Sequence, residues 1–268
     1  MNQQNEHSLL QPVRQLVVCL DLTEIDPYLI GYAAQLARTL SVEKVIFFHA
    51  IQAYDLPEKS SKAFPDVETE LSDLIRKNLL TSVDDHFSTE CHWEIETRVG
   101  YEDVSREILA YVRENDVDLI LIGQKYGENR QARYSRKIVA ETGSDIVLLP
   151  QVELRSLTPV LCAADFSEAA GPAFERALDI SRILGGQLRC YFISDPTRAY
   201  FPATTQRSSK RDLQRFRETY ARFLEAYDLS PEEIPCRIEV NDAVSSEAAA
   251  MYQTAREQKA SLLVVGAK

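Results

Sequence analysis

The sequence repeats itself. LVVCLDLTE (16–24) is answered roughly 143 residues later by VLCAADFSE (160–168), each an apolar run ending in Asp, a hydroxyl residue and Glu. Asp21 thereby pairs with Asp165, Thr23 with Ser167 and Glu24 with Glu168. KVIFFHAIQ (44–52) corresponds to QLRCYFISD (187–195). VRENDVDLILIGQK (112–125) corresponds to AREQKASLLVVGAK (255–268), which aligns Gly123 with Gly266. Three blocks in one order at a nearly constant offset mean that one structural unit is built twice.

Within each copy, strand and helix alternate. Residues 17–20 and 160–163 are short apolar runs that suit strands buried on both faces. The apolar spacing then becomes helical, with Ala33, Leu36, Ala37 and Leu40 on one face in the first copy and Ala177, Ile180 and Leu184 in the second. Gly185-Gly186 ends the second of these helices as a left-handed cap would. A second strand (45–49; 188–193), a polar stretch, a long helix (about 66–86; 209–227) and a weaker third strand (about 93–99; 236–240) follow. A helix carrying Ile108, Leu109 and Val112 leads into the strongest strand, LILIG (119–123). The first copy closes with a helix around 132–141 and a strand over 145–149, stopped by Pro150. This alternation predicts α/β units with parallel sheets and right-handed crossovers. The expected domains are 12–150 and 159–268, joined by QVELRSLTP (151–159), a linker short enough to hold the halves as a pseudo-symmetric pair. The second copy reaches only Gly266-Ala267-Lys268, so it is expected to lack its last helix and strand in this chain, and the full protein is expected to continue.

Charge and motifs exclude several function classes. Lys and Arg number 30 against 41 Asp and Glu, a net charge of −11, which gives no electrostatic basis for a nucleic-acid partner or a polybasic membrane contact. No run approaches the ~18 apolar residues of a membrane span. MNQQNEHSLLQPVRQ at the N-terminus lacks the apolar core of a signal peptide, so a cytoplasmic setting is expected. Cys19, Cys91, Cys162, Cys190 and Cys236 are odd in number and form no CxxC pair, which argues against a disulfide framework and a zinc site. Cys19, Cys162 and Cys190 sit in apolar runs, where cysteine acts as a small buried hydrophobe. His7, His49, His86 and His92 show no metal-ligand spacing, so no metal is indicated by side-chain motifs. There is no GxSxG elbow and no GxxxxGK[ST] loop. Asp21 and Asp165 belong to different halves and are not a paired acid and base, so nothing demands an enzyme.

The ordered set of features resembles the universal stress protein family in its tandem two-domain form. The strands ending in Asp21-x-Thr23-Glu24 and Asp165-x-Ser167-Glu168, His49-Ala50-Ile51, VGYEDVSREIL (99–109) and DLILIG (118–123) carry that resemblance. It implies two Rossmann-like domains of the adenine nucleotide alpha hydrolase-like kind, each a parallel sheet of order 3-2-1-4-5 with helices on both faces. Ligands of such sheets sit beyond the carboxyl ends of strands one and four. By resemblance, Asp21 with Ala50, and Asp165 with Ile193, would hold the adenosine of ATP or another adenine nucleotide. Ile122-Gly123 with Gly127, and Val265-Gly266, would lead into a segment GxxGx(9)G[ST] whose backbone amides wrap the phosphates.

The first copy departs from that segment. It reads GQKYGENRQARYSRK (123–137), with Gly123 and Gly127 one residue too far apart and Ala132-Arg133 where Gly-Ser is expected. A side chain at a close-approach glycine obstructs the backbone. Nucleotide binding is therefore expected in the second copy rather than the first. Arg130, Arg133, Arg136 and Lys137 crowd the altered loop, as a replacement anion site, as a solvated basic face, or docked against the acidic remainder of the chain. Asp21 and Asp165 also fit the role of turn or capping acids, and His49 that of a structural hydrogen-bonding residue. The polar stretches 58–68 and 198–214 suit loops, with Tyr200 and Phe201 placed to cover a pocket or meet a partner. The resemblance implies a non-catalytic stress-response or regulatory module with its domains paired within the chain, a homodimer and an unidentified protein partner being left open. A scaffold that has lost nucleotide binding is the alternative, and a weak nucleotide hydrolase a third.

Overall fold

Parallel strands cannot be joined by tight turns, so each strand of a repeat must be followed by a crossover before the next can pair. The computed structural model of the chain, which describes residues 12–52, 65–88, 91–100, 103–124, 129–150, 157–194, 207–240 and 247–266, shows this pattern twice. The halves form separate compact units, Pro12–Leu154 and one that includes Arg155–Lys268. The first contains β1 (Gln15–Cys19), α1 (Asp26–Leu40), β2 (Lys44–Gln52), α2 (Pro65–His86), β3 (His92–Gly100), α3 (Val104–Asn115), β4 (Leu119–Gln124), α4 (Asn129–Glu141) and β5 (Asp145–Pro150). Its sheet has the expected order β3-β2-β1-β4-β5, with every pairing parallel.

The registers explain the core. Val17 lies opposite Ile46 on one side and Ile120 on the other, and Leu16, Val17 and Val18 are fully buried. One face of the sheet is closed by Ile108, Leu109, Tyr111 and Val112 of α3 and Ile138 of α4. The α1 stripe of Leu29, Ile30, Ala33, Leu36 and Ala37 is buried, as its spacing requires. β5 runs through Pro150, opposite Gln124, rather than stopping before it. An edge strand tolerates this because the missing N–H costs no ladder bond when that side has no neighbour.

The second unit contains β6 (Val160–Ala163), a single 3₁₀ turn (Glu168–Ala170), α5 (Gly171–Ile183), β7 (Leu188–Ser194), α6 (Arg207–Glu225), β8 (Cys236–Val240), α7 (Glu247–Glu257) and β9 (Leu262–Val265). Its parallel order is β8-β7-β6-β9, the first four positions of the expected sheet, with β9 half-exposed at the edge. Phe174, Ala177 and Leu178 of α5 and Tyr220 and Leu224 of α6 form the buried core with Val160, Cys162, Leu188 and Cys190. All five cysteines are free; Cys162 and Cys190 are buried and Cys19 is half-buried. Burial pushes the Cys19 thiol up to about 12, which suits packing rather than reactivity. Among the described residues no helix is long and apolar enough to cross a membrane. Residues 53–64 and 195–206, with Tyr200 and Phe201, lie outside the described residues, whereas 65–68 and 207–214 belong to α2 and α6.

Gly185 takes the left-handed conformation (φ +60°) that its place after α5 calls for, and its amide donates to the Arg182 carbonyl at 3.1 Å. Gly186 serves a different purpose. A β-carbon there would stand 2.2 Å from Thr158 Cγ2 and 2.9 Å from Thr158 Cβ. Gly186→Ala is expected to lower the unfolding free energy by about 1–3 kcal/mol, the usual cost of overpacking, measured by urea denaturation. Adding Thr158→Ala is expected to recover part of that loss, because the methyl overlap disappears while the β-carbon contact stays.

Candidate functional site

The carboxyl ends of β1 and β4 lie side by side, with Cys19 opposite Ile122, and the chain leaves them as Leu20-Asp21 and Gly123-Gln124. In the second unit Ala163 lies opposite Val265, and the chain leaves as Ala164-Asp165 and Gly266. In the first unit the crossovers leave β1 and β4 toward opposite edges of the sheet, which makes that tip a topological switch point, and the second unit places the ends of β6 and β9 in the same way. The first tip brings Asp21, Ile122 and Gly123 together, with Ala50 on neighbouring β2 opposite Arg98. The second gathers Asp165, Val265 and Gly266, with Ile193 on β7 opposite Glu239. Gly127 lies outside the described residues.

Both aspartates organise a turn. The Thr23 hydroxyl donates to Asp21 Oδ1. Asp165 Oδ1 accepts from the Ser167 amide at 3.1 Å and from its hydroxyl at 2.6 Å. Both are exposed, so the role of turn acid and exposure at the switch point coincide. The residue after each is left-handed, Leu22 at φ 62° and Phe166 at φ 57°, at a cost on the order of 1–2 kcal/mol for a non-glycine residue. The two units meet this cost differently. Phe166 is buried among Phe192, Tyr220 and Phe223, with ring centroids 4.8–5.7 Å away. Leu22 is 46% exposed and has no such anchor.

The first turn is held from beneath by Asp26. This carboxyl is 4% exposed, and its two oxygens accept from the amides of Asp21 (3.2 Å) and Leu22 (2.9 Å). Burial pushes its pKa up to about 6, with the Asp21 amide pulling down, the Asp21 charge pushing up and the Leu22 amide pulling down. Sequence analysis missed Asp26. The signal was present in Asp26-Pro27 at a helix start, but the corresponding residue of the second copy is Ala170, so the repeat did not point to it.

The strand-four glycines also diverge. Gly123 is buried, and a β-carbon there would meet Ile25 Cδ1 at 3.0 Å and Leu29 Cδ1 at 3.2 Å, so its smallness lets α1 pack on β4. At Gly266 a β-carbon would meet, among the described residues, Ala173 Cβ at 3.6 Å, an ordinary van der Waals contact. α4 starts at Asn129, ahead of the expected start near 132, and so carries Arg130, Arg133, Arg136 and Lys137 on a helix, with Arg136 exposed; the side chains of Arg130 and Arg133 lie outside the described residues. Lys137 follows the third reading of the basic cluster and docks on an acid of the same chain. Its Nζ bonds Asp103 Oδ2 at 3.1 Å, while Asp103 Oδ1 caps α3 by accepting the Ser105 amide. His49 is buried with Nδ1 2.9 Å from the Leu20 carbonyl, the structural role its position implied.

A cleft of about 800 Å³ in the second unit, lined by Arg182, Arg189, Ile234, Cys236 and Arg237 among others, opens where β7 and β8 begin. It lies at the opposite sheet end from the switch point, and no motif marks it in the sequence. Among the described residues no group of three or more His, Cys, Asp or Glu is placed to hold a metal ion.

Comparison with known proteins completes the assignment. The profile of the Universal stress protein family matches residues 12–142 and 157–268. A universal stress protein from Archaeoglobus fulgidus DSM 4304 superposes with a TM-score of 0.66 at 16% identity, covering 94% of this chain and 86% of that one. A putative universal stress protein from Pseudomonas aeruginosa UCBPP-PA14 superposes with a TM-score of 0.61 at 14% identity, covering 94% and 82%. A universal stress protein from Archaeoglobus fulgidus in complex with dAMP aligns over 52% of this chain and 98% of that one, with a TM-score of 0.38 at 15% identity. No curated protein matches the sequence significantly. With the duplicated parallel sheet in place and both repeats matched, the chain belongs to the universal stress protein family and carries its domain twice.

Proposed function

We propose that this protein is a non-catalytic stress-response module of the cytoplasm whose second copy takes up an adenine nucleotide at the carboxyl ends of β6 and β9. The observation that carries this reading is the contrast at the strand-four glycine. Gly123 is occupied in holding α1 against β4, whereas among the described residues a β-carbon at Gly266 would meet Ala173 Cβ at 3.6 Å, an ordinary contact. Backbone can approach a phosphate closely only where no side chain intervenes. The altered segment after Gly123 and the Lys137–Asp103 pair also weigh against a phosphate site in the first copy.

In the second copy each residue has a role its position suits. The exposed Asp165 carboxylate accepts from hydroxyl or amine donors of the adenosine, the Ile193 backbone lies beside the base, and the Val265-Gly266 backbone leads toward the phosphates. Two family domains on one polypeptide support their pairing within the chain. A scaffold acting through protein contacts is the second reading, favoured for the first copy by the packing around Gly123.

Mass spectrometry of the denatured purified protein is expected to detect co-purified ATP, ADP or AMP. In calorimetric titrations Asp165→Ala is expected to weaken nucleotide binding at least about tenfold, ~1.4 kcal/mol, while Asp21→Ala changes it less than about twofold. Asp165→Asn, which keeps an oxygen for Ser167, controls for loss of the turn. Absence of nucleotide together with unchanged titrations in Asp165→Ala leaves the scaffold. Phosphate release above background that vanishes in that variant indicates the hydrolase. Gly123→Ala is expected to cost about 1 kcal/mol of stability, seen as a lower melting temperature, and to leave nucleotide affinity unchanged.

A further inference from the structure

The turn after β1 and its counterpart after β6 have the same backbone shape and different supports. The second is pinned by Phe166, an apolar anchor with no ionisable atom. The first is pinned by a carboxyl group. Both oxygens of Asp26 are engaged as acceptors, one by each amide of the Asp21-Leu22 pair. That geometry suits the ionised form, since the hydroxyl oxygen of a neutral carboxyl accepts poorly. Burial at 4% exposure and the adjacent Asp21 carboxyl favour the neutral form. The two demands conflict at one atom group beneath a strained, exposed residue.

We propose that Asp26 is a proton-operated latch on the β1–α1 turn of the first unit. Ionised, it holds both amides and keeps Leu22 left-handed. Protonated, its O–H turns to the Asp21 carboxylate as a donor, one of the two amides loses its partner, and the turn at the tip of the sheet rearranges. The second unit, with Ala170 at this position, has no such response. The latch is a property of the unliganded chain and does not depend on nucleotide binding.

Among the described residues, the charged and titratable groups around Asp26 come from its own turn and from β2. Asp21 acts directly on the Asp26 carboxyl, and exposed Glu24 shares the turn. β2 contributes His49, whose Nδ1 contacts the Leu20 carbonyl at 2.9 Å. β1 and β4, against which α1 packs, end in uncharged Cys19-Leu20 and Gly123-Gln124. α2 begins with Asp66 and Glu68, whose side chains lie outside the described residues.

The test is an NMR titration of the backbone amides of Asp21 and Leu22 in the full chain without nucleotide. Both resonances are expected to shift with a common inflection near pH 6. Asp26→Asn, which mimics the neutral acid, is expected to abolish that inflection. Asp21→Asn is expected to move it to lower pH by removing the neighbouring negative charge. The sign for stability follows from a folded pKa raised above the ordinary carboxylate value. The stabilising effect of the bound proton is complete below the unfolded value near 4 and is lost as pH rises to about 6. The melting temperature of Asp26→Asn relative to the unmodified chain is therefore expected to be more favourable at pH 7.5 than at pH 4.5. An absent inflection, or a melting difference independent of pH, overturns the latch. An inflection that persists in Asp26→Asn belongs to another group and overturns the latch equally.

Discussion

Each unit depends on one strand that has parallel neighbours on both sides and is buried on both faces, β1 in the first and β6 in the second. Such a strand has no solvated face, so it must be apolar throughout, and Leu16, Val17 and Val18, like Val160, Leu161 and Cys162, are at most 1% exposed. Because every connection is a crossover, all strands point the same way and their carboxyl ends collect at one end of the sheet. The place where the first and fourth strands part is then the natural position for a ligand, before any functional residue is named. Asp21 and Asp165 stand there because they are the first polar residues after the buried run.

The same turn on two different supports shows how duplicated units drift apart without losing their backbone. A left-handed Leu or Phe needs compensation from its surroundings. In the second unit this comes from an aromatic cluster and in the first from a buried carboxyl. The strand-four glycine has diverged in the same way, with Ile25 and Leu29 close against Gly123 and the smaller Ala173 beside Gly266. Both differences separate the copies at the switch point while the sheet order around it is preserved.

Periodicity made much of the fold legible. The i, i+3, i+4 spacing of Ala33, Leu36 and Ala37 identified the buried face of α1, and the paired apolar runs identified the central strands. What stayed hidden were polar groups whose partners come from turns and from other elements. Asp26 looks like any acid at a helix start, and Lys137 like one more cation in a basic run. Their roles arise from the amides of a strained turn and from the cap of a different helix. Spacing along one element reports which face is buried, but not which polar atom on a neighbouring element completes it.

The duplication, the α/β class and the position of Asp21 and Asp165 at strand ends were determined by the sequence alone, because they follow from hydrophobic period and chain order, while the strand order came with the family resemblance. The use of Gly123 by Ile25 and Leu29 and the burial of Asp26 were decided only in the tertiary structure. The physical reason is that close packing and burial depend on atoms brought together by crossovers, and their positions emerge only when α1 is laid against β4 and the strand tips are aligned.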